Sequence, residues 1–71
     1  MNKFEKIVKY FSEPSLDPKK NVKIIIKEMS DEEFEELKLQ FEKAVDDIKD
    51  YSERNHSILI LNDLIEELRD E

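Results

Sequence analysis

Residues 19–37 read KKNVKIIIKEMSDEEFEEL, and the run KIIIK inside them decides the fold. As a strand it puts Val22, Ile24 and Ile26 on one face and Lys23, Ile25 and Lys27 on the other. As a helix it gathers Val22, Ile25, Ile26 and Met29 within an arc of about 100° and leaves only Ile24 on the far side. β-Branched residues favour the strand, so periodicity alone does not arbitrate. Pairing does. A lone strand leaves its backbone donors and acceptors unmatched, and within the chain its one other candidate neighbour is SILIL, 57–61; otherwise the neighbour must be another molecule. The helix also has a start signal in Asp17-Pro18, a capping carboxylate followed by proline at the first helical position. The spacing therefore predicts a helix over 18–29, with a strand over 22–28 as the alternative.

Downstream, Ser30 and Glu33 form the S-x-x-E pattern of a capping box, and Asp31, Glu32 and Glu33 sit where a helix's positive end favours acids. Phe34, Leu37, Phe41, Ala44, Val45, Ile48 and Tyr51 then follow helical spacing without glycine or proline, predicting a helix over 31–54. Around Arg54-Asn55-His56-Ser57 the pattern falters, with Asn55 or Ser57 as the turn. Ile58, Leu61, Leu64, Ile65 and Leu68 predict a last helix over 57–70. Upstream, Phe4, Ile7, Val8 and Phe11 mark a helix over 3–12, and Pro14 ends it by disfavouring helical geometry at Glu13. Four amphipathic helices with short connections predict an all-α fold, a small antiparallel bundle in one domain over 1–71. Ile24, Leu39, Leu59 and Ile60 point away from the seam; grouped together they would form a dimer or partner surface.

Composition agrees with that class. The chain has 71 residues, no glycine and no cysteine, so neither abundant turns nor disulfides are on offer and a cytoplasmic location is expected. The start MNKFEKIVKYF never builds the apolar centre of a signal peptide, and no run approaches a membrane span, so no membrane partner is expected. Charged residues reach 44%, yet hydrophobic residues reach 38% in periodic clusters, which separates the chain from a disordered one. The net charge of −7 is unevenly spread. Residues 1–27 carry seven lysines against Glu5, Glu13 and Asp17, whereas 28–71 carry sixteen acids against Lys38, Lys43, Lys49, Arg54 and Arg69. Either these are solvated faces that attract weakly across the fold, or the surface is bipolar and presents its acids to a basic partner.

Motifs of chemistry are sparse. Glu53 and His56 make one E-x-x-H, but a di-iron bundle site needs a second copy and two further carboxylates facing inward. Asp46, Asp47, Asp50, Ser52 and Glu53 lack the glycine of a calcium loop and lie in predicted helix. Ser12, Ser15, Ser30, Ser52 and Ser57 sit at boundaries where capping accounts for them. The aromatics read mostly as core, with Tyr10 the most exposed. No catalytic residue, metal ligand or cofactor is assigned, and no enzyme is expected.

The segment KIIIKEMSDEEFEEL, followed later by HSILILNDLIEEL, resembles the strand, helix, helix order of ribbon-helix-helix repressors and antitoxins. The resemblance implies a homodimer whose paired strands enter the DNA major groove, with Lys23, Ile25 and Lys27 toward bases. It spans about 45 residues; an isoleucine at the central reading position, a long uninterrupted first helix and a negative chain depart from it. The leading expectation is different: a non-catalytic helical protein of inhibitor, antitoxin or immunity type that binds and neutralises a protein with a basic surface. Its contacting groups would be Glu32, Glu35, Glu36, Asp46, Asp47 and Asp50, with Leu39 as apolar anchor. A self-assembling subunit is the remaining possibility, and the lysine and isoleucine richness fits a bacterial or phage source.

Overall fold

A computed structural model describes residues 2–13 and 17–71. Among these residues four helices follow in order: α1 Lys3–Ser12, α2 Pro18–Glu28, α3 Asp31–Asp46 and α4 Glu53–Asp70. The expected linker positions Pro14 and Ser15 lie outside the described residues, although Glu13 is extended at ψ 141°, as a residue before proline favours.

The isoleucine run is helical, and among the described residues none is in a strand. The alternative strand over 22–28 is therefore overturned, and burial gives the reason. Val22 and Ile26 are wholly buried, Ile25 is half-buried and Ile24 is 51% exposed, an ordering that follows the helix period and not strand alternation. Of the three positions the ribbon would aim at bases, Lys23 instead lies 3.3 Å from Glu71, and Ile25 packs on the core.

Each helix starts where its sequence supplies an acceptor. Asn2 accepts the Glu5 N–H at 2.8 Å, and Asp17 accepts the Lys20 N–H at 3.0 Å with Pro18 just inside the helix. Ser30 and Glu33 complete a reciprocal box, with Ser30 Oγ accepting the Glu33 N–H at 3.1 Å and Glu33 Oε1 accepting the Ser30 N–H at 3.2 Å. The other Glu33 oxygen accepts from Lys3 Nζ at 2.8 Å and so ties α3 to α1. The Lys3 bond first, and the Ser30 N–H second, lower the Glu33 pKa below the ordinary glutamate value. A lowered folded-state pKa stabilises the fold above the unfolded value, and the gain is lost as pH falls through the folded one. Glu33→Gln should accordingly flatten the acid limb of the stability profile. Urea midpoints followed from neutral to acid pH check this, and parallel profiles for both proteins would refute it.

Between α3 and α4 the boundaries differ from the predicted 54 and 57. Helix α3 stops at Asp46, and α4 begins at Glu53, capped by Ser52 Oγ accepting the Asn55 N–H at 3.2 Å. The link between them is built by short polar side chains that compete with helical hydrogen bonds. Asp50 Oδ1 accepts the Ser52 N–H at 3.1 Å and Asn55 Nδ2 at 2.9 Å. Asp46 and Asp47 further disfavour continuation, since negative charge opposes the negative end of a helix. Tyr51, assigned to the core by spacing, falls in this link and is 89% exposed, whereas Tyr10 is half-buried against the core. Ser57 is no turn residue either. It is buried within α4, where its Oγ lies 2.8 Å from Ser12 Oγ, which in turn lies 2.8 Å from the Val8 carbonyl.

All four helices feed one core. Phe4, Ile7 and Val8 come from α1, Val22 and Ile26 from α2, Phe34, Leu37 and Phe41 from α3, and Ile58, Leu61, Ile65 and Leu68 from α4, with Met29 from the α2–α3 link. Helices α1 and α4 pack on each other and each touches both α2 and α3, so α2 and α3 occupy opposite corners. Asp31 meets Arg69 and Lys38 meets Glu66, which makes α3 and α4 antiparallel. The radius of gyration is 11.4 Å, close to the roughly 11 Å expected of a compact chain this long.

Candidate partner-binding face

At 100° per residue, Leu39 lies opposite the buried Leu37 and Phe41 on α3. Glu32, Glu35, Glu36, Glu42, Lys43 and Asp46 surround it within an arc of about 120°. All of these are exposed, and Leu39 itself is 63% exposed. The structure thus aligns Glu32, Glu35, Glu36, Leu39 and Asp46, all singled out from sequence, along one stripe. Asp47 caps the helix at the end of that stripe and is exposed. Asp50 is different: it sits in the link, where Ser52 and Asn55 occupy its carboxylate.

The neighbouring helix extends the stripe. Lys38 bridges the two helices, its ammonium 3.0 Å from Glu35 and 3.5 Å from Glu66, and 5.4 Å from the centre of the Phe34 ring. The hydrogen bond to Glu35 is the main cause raising its pKa, against a smaller opposing effect of desolvation. Glu66 belongs to a row on α4, Leu59, Asp63, Glu66 and Asp70, whose spacing of four, three and four keeps it within about 60° of arc. Asp63, Glu66 and Asp70 are exposed and Leu59 is half-buried. The outer side of the α3–α4 pair therefore carries five carboxylates from α3 and three from α4 against Lys38 and Lys43. Glu42, Asp63, Glu66 and Asp70 were not among the residues chosen from sequence. The periodic row on α4 was visible there, but its position beside α3 required the packing.

The four apolar residues left outside the seam do not form one patch. Ile24 stands on α2 at the corner opposite Leu39, while Leu59 and Ile60 are half-buried on α4. Basic and acidic segments are likewise only partly joined. Lys3–Glu33 and Lys23–Glu71 cross between them, whereas Lys19, Lys20 and Lys27 make no ion pair among the described residues.

Grooves elsewhere are open and charged. One of about 580 Å³ lies between the start of α2 and the end of α4, lined by Lys19, Lys20, Lys23, Glu67 and Glu71. Another of about 530 Å³ lies between α1 and the start of α4, where Glu5 and Arg54 pair at 2.7 Å. Among the described residues, no three His, Asp or Glu side chains converge as metal ligands. No helix of the described residues is long and apolar enough to cross a membrane. Comparison with protein-family models, with curated proteins and with solved structures found no match to the chain.

Proposed function

We propose that this protein is a non-catalytic binding protein that lays its acidic α3–α4 face on a basic surface of another protein and blocks it, as inhibitors, antitoxins and immunity proteins do. The observation that carries the reading is the stripe of carboxylates around the exposed Leu39 on two antiparallel helices. Helices fix the spacing of the charges, so little ordering is needed on binding. Concentrated negative potential accelerates encounter with a positive surface, and an exposed leucine inside a charged rim supplies an apolar contact that excludes water. The strand needed by the ribbon reading is absent from the described residues, so DNA contact through residues 22–28 has no support.

The test is capture from the native host with the wild-type protein and with a Glu36→Lys, Asp46→Lys, Asp47→Lys variant. Glu35 is left in place because it holds Lys38. A captured protein should associate with the variant about tenfold or more slowly, with a flatter dependence on salt. Equal association rates for both proteins at low and moderate salt would defeat the proposal.

A further inference from the structure

The α2 corner and the α3 corner carry the same pattern with opposite charge. On α2, Lys20, Ile24 and Lys27 are spaced by four and three residues, with Ile24 51% exposed between two exposed lysines. On α3, Glu35, Leu39 and Glu42 have the same spacing, with Leu39 63% exposed between two exposed glutamates. We propose that copies of this protein associate head to tail, the α2 row of one docking antiparallel on the α3 row of the next. In that arrangement Ile24 meets the partner's Leu39, Lys20 approaches the partner's Glu42 and Lys27 the partner's Glu35.

Antiparallel docking is selected by the side on which each charge lies. Lys20 and Lys27 fall about 40–60° to one side of Ile24, and Glu35 and Glu42 fall about 40–60° to the same side of Leu39. Facing antiparallel helices bring like sides together, so both lysines meet glutamates. Parallel docking would instead set Lys27 beside the partner's Lys43. Two like-charge contacts remain in the antiparallel form, Glu28 near the partner's Glu36 and Asp17, seven residues before Ile24, near the partner's Asp46, seven after Leu39. Because the two rows occupy opposite corners, neither reaches the other within one molecule, and of the two glutamates Glu42 is the unshared one among the described residues while Glu35 also holds Lys38 of its own helix. Such a contact is heterologous, and it leaves one free row at each end of the assembly.

The net charge of −7 opposes association at long range. Screening over about 10 Å at moderate salt weakens that repulsion more than the contacts inside the interface. Exposed ion pairs and one apolar contact make a weak interface, populated only at high protein concentration. Self-association is measured on the pure protein, so its outcome is separate from that of the capture experiment.

The experiment is sedimentation of the wild type, a Lys20→Glu, Lys27→Glu variant and a Leu39→Lys, Glu42→Lys variant that leaves the Glu35–Lys38 pair intact, with helicity checked by circular dichroism. The wild type should gain average mass with concentration at moderate salt, while each variant alone stays monomeric. An equimolar mixture of the two variants should regain association, since each supplies the row the other lacks. A monomeric wild type, variants that still associate, or a mixture no heavier than its components would each overturn the proposal.

Discussion

Phe41→Ala should lower the unfolding free energy by about 3–5 kcal/mol, more than any other single truncation in α3. Phe41 is completely buried, and its ring meets that of Phe4 edge to face, with centroids 4.7 Å apart and planes inclined by 64°. Truncation loses the transfer free energy of the ring, leaves a cavity, and forfeits the aromatic pair, itself worth about 0.5–1.5 kcal/mol. A chain of 71 residues is stable by only about 4–11 kcal/mol, so a loss of this size removes at least about a quarter of that reserve. Phe41→Leu keeps most of the volume and should cost less than half as much. Urea melts of the three proteins read both values. A loss below about 1 kcal/mol for alanine would mean that the α1–α3 contact does not organise this core.

What the sequence made legible was local. Asp17-Pro18 and Ser30-x-x-Glu33 announced two helix starts because a cap needs residue types at fixed offsets and nothing from elsewhere in the chain. The triple isoleucine was ambiguous because three adjacent β-branched residues satisfy both periods. Burial resolves it, by treating Ile24, Ile25 and Ile26 differently. The end of α3 was not legible because Val45, Ile48 and Tyr51 keep helical spacing beyond the point where the helix stops. Asp50 bonded to Ser52 and Asn55 shows why the chain turns there. The acidic face divides in the same way. Its α3 half follows from one helix's own geometry, whereas Asp63, Glu66 and Asp70 join it only because α4 packs with Glu66 beside Lys38 of α3.

Arg69→Ala should cost about 2–4 kcal/mol and loosen the junction of α2 and α3 before the rest of the fold. The guanidinium donates from Nη1 to the carbonyls of Ile26 at 2.7 Å and Met29 at 3.0 Å, and from Nη2 to Asp31 Oδ1 at 2.8 Å. It also lies over the Phe34 ring, 4.7 Å from its centre. The two carbonyls belong to the end of α2 and its cap, where a positive charge is favoured; the Ile26 carbonyl also accepts the Met29 N–H at 3.3 Å. The Asp31 contact contributes less, because that carboxylate is fully exposed and its attraction is screened by solvent. Asp31→Ala should therefore cost only a small fraction of the Arg69→Ala loss. Arg69→Lys should fall near the alanine value, since a single ammonium cannot reproduce the planar fork that reaches two carbonyls and stacks on a ring. Hydrogen exchange gives the local readout. In Arg69→Ala, amides in the last turn of α2 and the first turn of α3 should lose protection ahead of those beside Phe41. Equal losses of stability for Arg69→Ala and Asp31→Ala would show that the exposed ion pair, and not the carbonyl clamp, joins these helices. Since the same guanidinium stacks on Phe34 in the first turn of α3, its removal should also disturb the alignment of the two acidic rows.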